Sequence, residues 1–317
     1  MPVFVGTGSD DFEAKSDRVG VPIETSDPNP ASVGDMYFNN PSGKLRVYDG
    51  TSWDDVGASD ISGNVSGGTP YTPAAGDGIY KFNVFTSPGT LTVSNSDVVV
   101  EAIIVGGGGG GAAAGGGAGG VVARTYTLSP GSYPITIGTG GGVGPNLNTA
   151  GCPGGNTTFN GCTAYGGGGG GANTSPYDGL PGGSGGGAGS GGTGGTACPG
   201  QGNDGGTHGC PTSSAGTSGG GFNNPGCPHF PTRCSEPGGF AGSVMWCLPP
   251  SVAGTCSTGA TVISGGGGGY NGAFVQGCPG GGIYGRGGPA AYGFPTPSPA
   301  GQPGCPGALF IRYKILQ

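Results

Sequence analysis

The sequence predicts an all-β protein: a small N-terminal β-meander, then a glycine-rich β-sandwich with polyproline-II-like glycine tracts and disulfide-stapled loops. Three observations lead there. The chain carries 83 Gly and 29 Pro among 317 residues, and in a helix interior these cost about 1 and about 3 kcal/mol relative to Ala. Its apolar residues fall in short β-branched and aromatic runs, and no long window keeps a 3.6-residue apolar period. All 10 cysteines lie between Cys152 and Cys305, embedded in Gly/Pro-rich loops, which is the usage of a disulfide framework.

The same composition rules out two simpler readings. Collagen needs Gly at every third position because only Gly fits at its axis. Here Gly comes in runs such as Gly106 to Gly111 and Gly166 to Gly171. Disordered chains are rich in charge, whereas 9% of this chain is charged, and β-type stretches recur between its glycine runs.

The elements follow in chain order. Residues 1–30 are polar and acidic, with Pro22, Pro28 and Pro30, and read as an attachment arm. Residues 31–57 read as a three-stranded meander, with Leu45 and Val47 on one face and turns at Asn39–Gly43 and Asp49-Gly50. Trp53 belongs to its core. A meander this small buries too little apolar surface to stand alone, so it is expected to pair with copies of itself or to dock on a larger particle. Residues 58–78 read as a linker. Residues 79–317 form the glycine-rich β-domain, with strands near Tyr80–Phe85, Gly89–Val93, Val98–Val105, Val121–Thr127, Tyr133–Gly138, Phe159–Tyr165 and Gly307–Lys314. Within it, 172–304 is a Cys/Gly/Pro-rich insertion.

Glycine tracts can be structure. A polyproline-II helix has three residues per turn and no internal hydrogen bonds, so side-chain-free tracts can pack closely and bond to one another. Six tracts stand out: 106–111, 115–120, 166–171, 182–195, 219–221 and 265–269. Ordering Gly is entropically expensive, and disulfides worth about 2–4 kcal/mol each offset this. The staple candidates are Cys152, Cys162, Cys198, Cys210, Cys227, Cys234, Cys247, Cys256, Cys278 and Cys305, with recurrent Gly-Cys-Pro-Gly at 151–154, 277–280 and 304–307.

Charge narrows the partners. Residues 1–101 carry a net charge of −9 and residues 102–317 a net charge of +2. Neither half offers the basic patch that nucleic acid needs, and no run of about 20 apolar residues exists to span a membrane. The start Met1-Pro2-Val3-Phe4-Val5 lacks the features of a secretory signal, so synthesis in a cytoplasm is expected. Recognition in the second part has to rest on shape, rings and backbone hydrogen bonds.

Catalytic motifs are weak. Gly182–Gly186 and Gly216–Gly220 satisfy a nucleophile-elbow pattern without the strand–turn–helix context it requires. Many Gly-x-Gly-x-x-Gly matches follow from composition alone. His208, Cys210, Cys227 and His229 could supply zinc ligands, but their spacings are not those of common modules, and disulfides account for the cysteines better. Glycoside cleavage needs two placed carboxylates, and the insertion holds Asp178, Asp204 and Glu236. No enzyme, cofactor or metal is expected. Aromatic residues dot the insertion, and rings are common recognition anchors. Tyr177, Trp246, Tyr270 and Tyr292 are the receptor-binding candidates; the competing reading is that such rings fill small cores under loops.

Two stretches carry a resemblance. The order of a strand, Thr92-Val93-Ser94, a Val-rich strand, poly-Gly, Gly119-Gly120-Val121-Val122, Leu128-Ser129-Pro130-Gly131-Ser132-Tyr133-Pro134-Ile135-Thr136-Ile137-Gly138 and the ending Gly307-Ala308-Leu309-Phe310-Ile311-Arg312-Tyr313 resembles the glycine-rich domain of bacteriophage tail fibre or adhesin proteins. Gly34 through Lys44–Trp53 is similar to short modules of phage fibres. The likeness covers about 31–57, 80–170 and 305–314, and not 172–304. It implies a homotrimeric virion subunit, bound to other virion proteins through residues 1–70 and to a host-surface glycan or outer-membrane protein through the rest. Release by lysis would reconcile disulfides with the missing signal. The alternatives are a passive capsid, neck or filament decoration protein and, less favoured, a polysaccharide-cleaving spike.

Overall fold

The computed structural model describes residues 21–56, 64–71, 80–208, 216–223, 225–226, 284–288, 290 and 301–314, with strand backbones also at 14–15, 18–19, 242–244, 254–255 and 261–263. The described part is all-β, with no helix. The chain divides into two compact units, residues 1–60 with 316–317, and residues 61–315.

In the first unit, β1 (Ala14–Lys15) and β2 (Arg18–Val19) pair antiparallel. β3 (Ile23–Glu24), β4 (Met36–Asn39), β5 (Lys44–Tyr48) and β6 (Trp53–Val56) form one sheet in that order. β4 to β6 are the expected meander. β3 is an addition: it pairs parallel with β4 from within residues read as an arm. Two-residue strands carry too little periodicity to be seen in sequence. The covered face of this sheet holds Tyr37 and Trp53, edge-to-face at 4.8 Å between centroids. Chain from 27–28 closes over it: the Tyr37 hydroxyl donates to Asp27 at 2.5 Å, and Trp53 Nε1 donates to the Pro28 carbonyl at 3.2 Å.

The second unit is a β-sandwich carrying a bundle of glycine tracts. The region read as a linker contributes β7 (Val65–Ser66) and β8 (Thr69–Tyr71). Then come β9 (Tyr80–Phe85), β10 (Gly89–Val93), β11 (Val98–Val105), β12 (Val121–Leu128), β13 (Gly131–Thr136), β14 (Thr157–Phe159) and β15 (Cys162–Ala164). β16 (Gly242–Val244), β17 (Gly254–Thr255) and β18 (Thr261–Ile263) make a small separate sheet. β19 (Ala308–Lys314) is the final strand.

One sandwich sheet runs β15-β14-β13-β10-β7 and the other β12-β11-β19-β9-β8. Between them lie Leu91, Val93, Ile135 and Phe159 from the first sheet and Val98, Val100, Ile104, Leu309 and Ile311 from the second, all nearly fully buried. β11 reads as an almost unbroken apolar run because its second half is buried on both faces. Ala102 and Ile104 point into the sandwich, while Ile103 and Val105 join Phe82, Val84 and Phe310 in a second cluster, against Phe222 and Tyr284. β19 inserts between β11 and β9, so the chain closes the sheet it opened more than 200 residues earlier.

The glycine tracts leave the sandwich as continuations of its strands. β11 runs into 106–111, 115–120 leads into β12, β15 leads into 166–171, and 301–307 leads into β19. Tract 106–111 is the axis of the bundle. Its amides donate in a three-residue rotation: Gly106 and Gly109 to Gly120 and Gly117, Gly107 and Gly110 to Gly155 and Cys152, Gly108 and Gly111 to Cys305 and Gln302. Its carbonyls accept in the same rotation from Gly167 and Gly170, from Gly141 and Gly144, and from Gly288. Three residues per turn is the period of polyproline II.

The six neighbours thus defined also bond to one another in a closed ring. Gly117 donates to Gly168, Gly154 to Gly167, Cys152 to Gly142, Gly304 to Gly141, Cys305 to Arg286, and Gly116 to Gly288, each at 2.7–3.0 Å. A second tract, 184–188, is likewise bonded to six segments, around Gly115, Gly168, Leu180, Gly195, Asn203 and Gly220.

This geometry explains the glycine runs. In collagen one face of each chain meets the axis, so one residue in three must be Gly. Around 106–111 all three faces meet backbone. A Cβ on Gly108 would lie 1.9 Å from the Arg286 carbonyl oxygen, one on Gly109 2.0 Å from that of Gly168, and one on Gly110 1.9 Å from that of Gly142. Tracts at the bundle edge carry side chains outward. In 301–307 the inward positions are Gly301, Gly304 and Gly307, while Gln302, Pro303 and Pro306 are exposed.

Candidate functional site

The bundle presents a groove of about 490 Å³ where tracts 151–156, 165–166, 181–182 and 196–198 meet; Pro153, Asn156, Tyr165, Pro181, Thr196 and Cys198 line it. Each side chain is there because its tract has an outward face. Tyr165 ends β15 and begins tract 166–171. Its amide donates to the Gln201 side chain at 2.9 Å and its carbonyl accepts from Gly120 at 2.7 Å. The backbone is thereby held, while the residue is 45% exposed. Asn156 accepts from the Gly166 amide through Oδ1 at 2.8 Å, which turns its NH₂ group outward as a donor. Opposite, the Gly182 amide donates to the Thr196 carbonyl and the Cys198 amide to the Gly182 carbonyl, at 3.1 and 2.8 Å.

The groove's chemistry is that of a neutral binding surface. Its lining has an aromatic ring, prolines, an amide, a hydroxyl and a thiol, and no ionisable carboxylate, Lys, Arg or His. Rings of this kind stack on apolar faces while their polar edge stays hydrated. The backbone beneath is cross-bonded on every side, so ordering on binding costs little.

Of the sequence-derived binding candidates, Tyr177 is described. The residue is 42% exposed, and its carbonyl accepts from the Gly189 amide at 2.7 Å. Beside it, Asp178 accepts from the amide and hydroxyl of Thr193 at 2.7 and 2.9 Å. Tyr177 and Tyr165 flank opposite ends of tract 166–171, because Gly171 packs against the Tyr177 carbonyl. At about 3.1 Å per residue they lie on the order of 20 Å apart, so they do not share one groove. Trp246, Tyr270 and Tyr292 lie outside the described residues. Tyr165 went unselected in the sequence because it sits at a strand end; the signal was a ring placed directly before a glycine tract.

The cysteines separate into groups. Cys152, Cys162 and Cys198 carry free thiols, so the expected staples do not close through them here. Cys152 and Cys198 face outward from edge tracts. Cys162 packs beside the sandwich core near Tyr126, whose hydroxyl is pushed up to about 12, first by burial and then by the neighbouring thiol. Cys305 is buried, at 2% exposed. Cys210, Cys227, Cys234, Cys247, Cys256 and Cys278 lie outside the described residues. Of the residues weighed for zinc, His208 is buried and its Nδ1 accepts from the Gly191 amide at 3.2 Å; Cys210, Cys227 and His229 lie outside. Among the described residues no group of His, Cys, Asp and Glu gathers as for a metal ion, and no helix is long and apolar enough to cross a membrane.

No curated protein matches the chain. The glycine-rich domain family matches residues 85–314, from the end of β9 through β19, which spans the bundle and the sandwich strands from β10 onward. The chain therefore belongs to the glycine-rich domain family.

Proposed function

We propose that this chain is a structural fibre or adhesin subunit of a bacteriophage virion, which attaches reversibly to a host-surface glycan or outer-membrane protein. The observation that carries the reading is Tyr165, held by its backbone and exposed over a neutral groove on a cross-bonded glycine scaffold. Such a surface suits a sugar face or an apolar receptor patch and supplies no acid–base pair. In this reading the copies assemble as a homotrimer, residues 1–70 contact other virion proteins, and several weak sites add by avidity. In this reading, disulfides among the remaining cysteines hold the tract ends. Oxidation follows release from the host cytoplasm.

The test is binding of the purified, oxidised 61–317 fragment to host cells in competition with virus. The fragment starts at 61 because β7 and β8 belong to the sandwich. The reading expects binding that blocks infection and that weakens at least about tenfold in Tyr165→Ala, the scale of an aromatic anchor, with folding unchanged. A folded fragment that neither binds nor competes would leave the passive decoration reading.

A further inference from the structure

Arg286 is a buried cation that meets no counter-ion among the described residues. It sits in the middle of tract 284–288, whose backbone is fixed on three sides. Gly285 donates to Pro306 and accepts from Gly119, Gly288 donates to Gly109 and accepts from Gly116, and the Arg286 carbonyl accepts from Cys305, each at 2.7–2.8 Å. In the ring of six neighbours this tract stands opposite 151–155, which lines the Tyr165 groove, so Arg286 is not part of that groove. The residue is 6% exposed. Its Nη2 is fully buried and meets no hydrogen-bond acceptor, and no described carboxylate forms an ion pair with it. An Arg that only covers a tract with its stem carries its head out to water; here the Nη2 end is dry. Burial lowers the guanidinium pKa, but a guanidinium does not shed its proton in a protein, so the charge stays. A buried charge without compensation is among the costlier features a fold can carry.

We propose that Arg286 is an anion site that takes a carboxylate. Its planar fork matches a carboxylate with two parallel hydrogen bonds, and the cross-bonded tract fixes where the fork stands. Residues 102–317 offer three acidic side chains. Asp178 is exposed and engaged by the amide and hydroxyl of Thr193. Asp204 is exposed and engaged by the Ala197 amide at 2.7 Å. The third, Glu236, lies outside the described residues. The carboxylate comes from Glu236 or from a ligand outside the chain, such as an acidic sugar, and the two sources are separable by experiment. The second source would add a charged contact on the side of the bundle away from the neutral groove. The proposal rests neither on Tyr165 nor on attachment to a host.

The test is thermal unfolding of the full chain at neutral pH, in about 0.1 M sodium acetate and in sodium chloride of equal ionic strength. The chains compared are the natural sequence, Arg286→Met, Glu236→Gln and the double variant. Arg286→Gln is read alongside, so that the comparison does not depend on one variant folding. If an outside carboxylate fills the site, acetate raises the midpoint of the natural chain by at least about 2 °C over chloride, and both Arg286 variants lose the rise. If Glu236 fills it, the natural chain shows no acetate rise. Glu236→Gln then lowers the midpoint by at least about 2 °C, has no such effect on top of Arg286→Met, and gains the acetate rise. Midpoints that ignore acetate both with and without Glu236→Gln overturn the proposal, as does an acetate rise that survives both Arg286 variants. Host-cell binding by the 61–317 fragment is a separate result, so failure of the receptor reading and failure of this one are distinguishable.

Discussion

At the scale of single residues, glycine has two different jobs in this chain. In the axial tract it is required by close approach. A methyl group on Gly109 would overlap the Gly168 carbonyl oxygen, and backbone cannot move aside within a ring of six bonded neighbours. At Gly161, in the turn between β14 and β15, the requirement is a φ of +74° and the space is open. Gly161→Ala is expected to cost about 1–2 kcal/mol, the strain of a left-handed alanine. Gly109→Ala is expected to exceed about 4 kcal/mol and to remove the soluble fold; thermal unfolding of the two variants side by side checks the difference. Thr157 is a third kind of position. Fully buried, its hydroxyl donates to the Val105 carbonyl at 2.6 Å and accepts from the Gly138 amide at 3.0 Å, which joins the sandwich to the first tracts. Thr157→Val keeps the shape and orphans both partners, so a loss of about 1–3 kcal/mol is expected in denaturant unfolding.

Among elements, the hairpin of β5 and β6 offers a pH-dependent test. The Asp49 carboxylate accepts from the amide of Ser52 and then from the amide and hydroxyl of Thr51, which holds its pKa below the ordinary carboxylate range. Asp55 is lowered too, chiefly by the hydrogen bond from Lys44. A carboxylate lowered in the folded state stabilises fully above its unfolded pKa of about 3.9, and that contribution is lost as pH falls through the folded value. The urea midpoint of the first unit, followed by Trp53 emission in the Trp246→Phe chain, should be level from neutral pH to about pH 5 and fall below about pH 4. Asp49→Ala should lower the neutral midpoint and flatten the fall. A midpoint that rises on acidification contradicts this account.

Elements also show what was legible in the sequence. The meander, β9 to β13 and the final strand were readable because their alternation and turn residues carry a local signal. Tracts 106–111, 115–120 and 166–171 were readable because all three faces of each need glycine or alanine. The run 182–195 is two tracts, because a turn at Ser190-Gly191, with Gly191 at a φ of +73°, folds it back on itself. Segments 138–144, 151–155, 284–288 and 301–307 were not read as tracts, though two of them carry the Gly-Cys-Pro-Gly motif, since Thr, Val, Cys, Arg and Pro interrupt their glycines. Their partners are set by long-range bonds that no local pattern encodes. Tyr165 was missed for a similar reason: its exposure depends on which tract lies beside it.

At the scale of the whole molecule, a sparsely charged chain one-quarter glycine builds a scaffold from backbone alone. The sandwich supplies apolar burial and fixes where the tracts begin. The tracts then satisfy one another's amides and carbonyls, and their larger side chains lie mostly on the outside, among them Tyr165 and Tyr177. The axial glycines are thus ordered structure rather than a tail. Hydrogen exchange at the glycine amides of the intact protein tests this most directly. The account predicts slow exchange, approaching global unfolding, at Gly107–Gly110, Gly167, Gly168 and Gly185–Gly187, which are buried and bonded, against fast exchange at the exposed turn glycines Gly161 and Gly200. Uniformly fast exchange across 106–111 and 166–171 would contradict it, and with it the rigid groove on which the proposed attachment function depends.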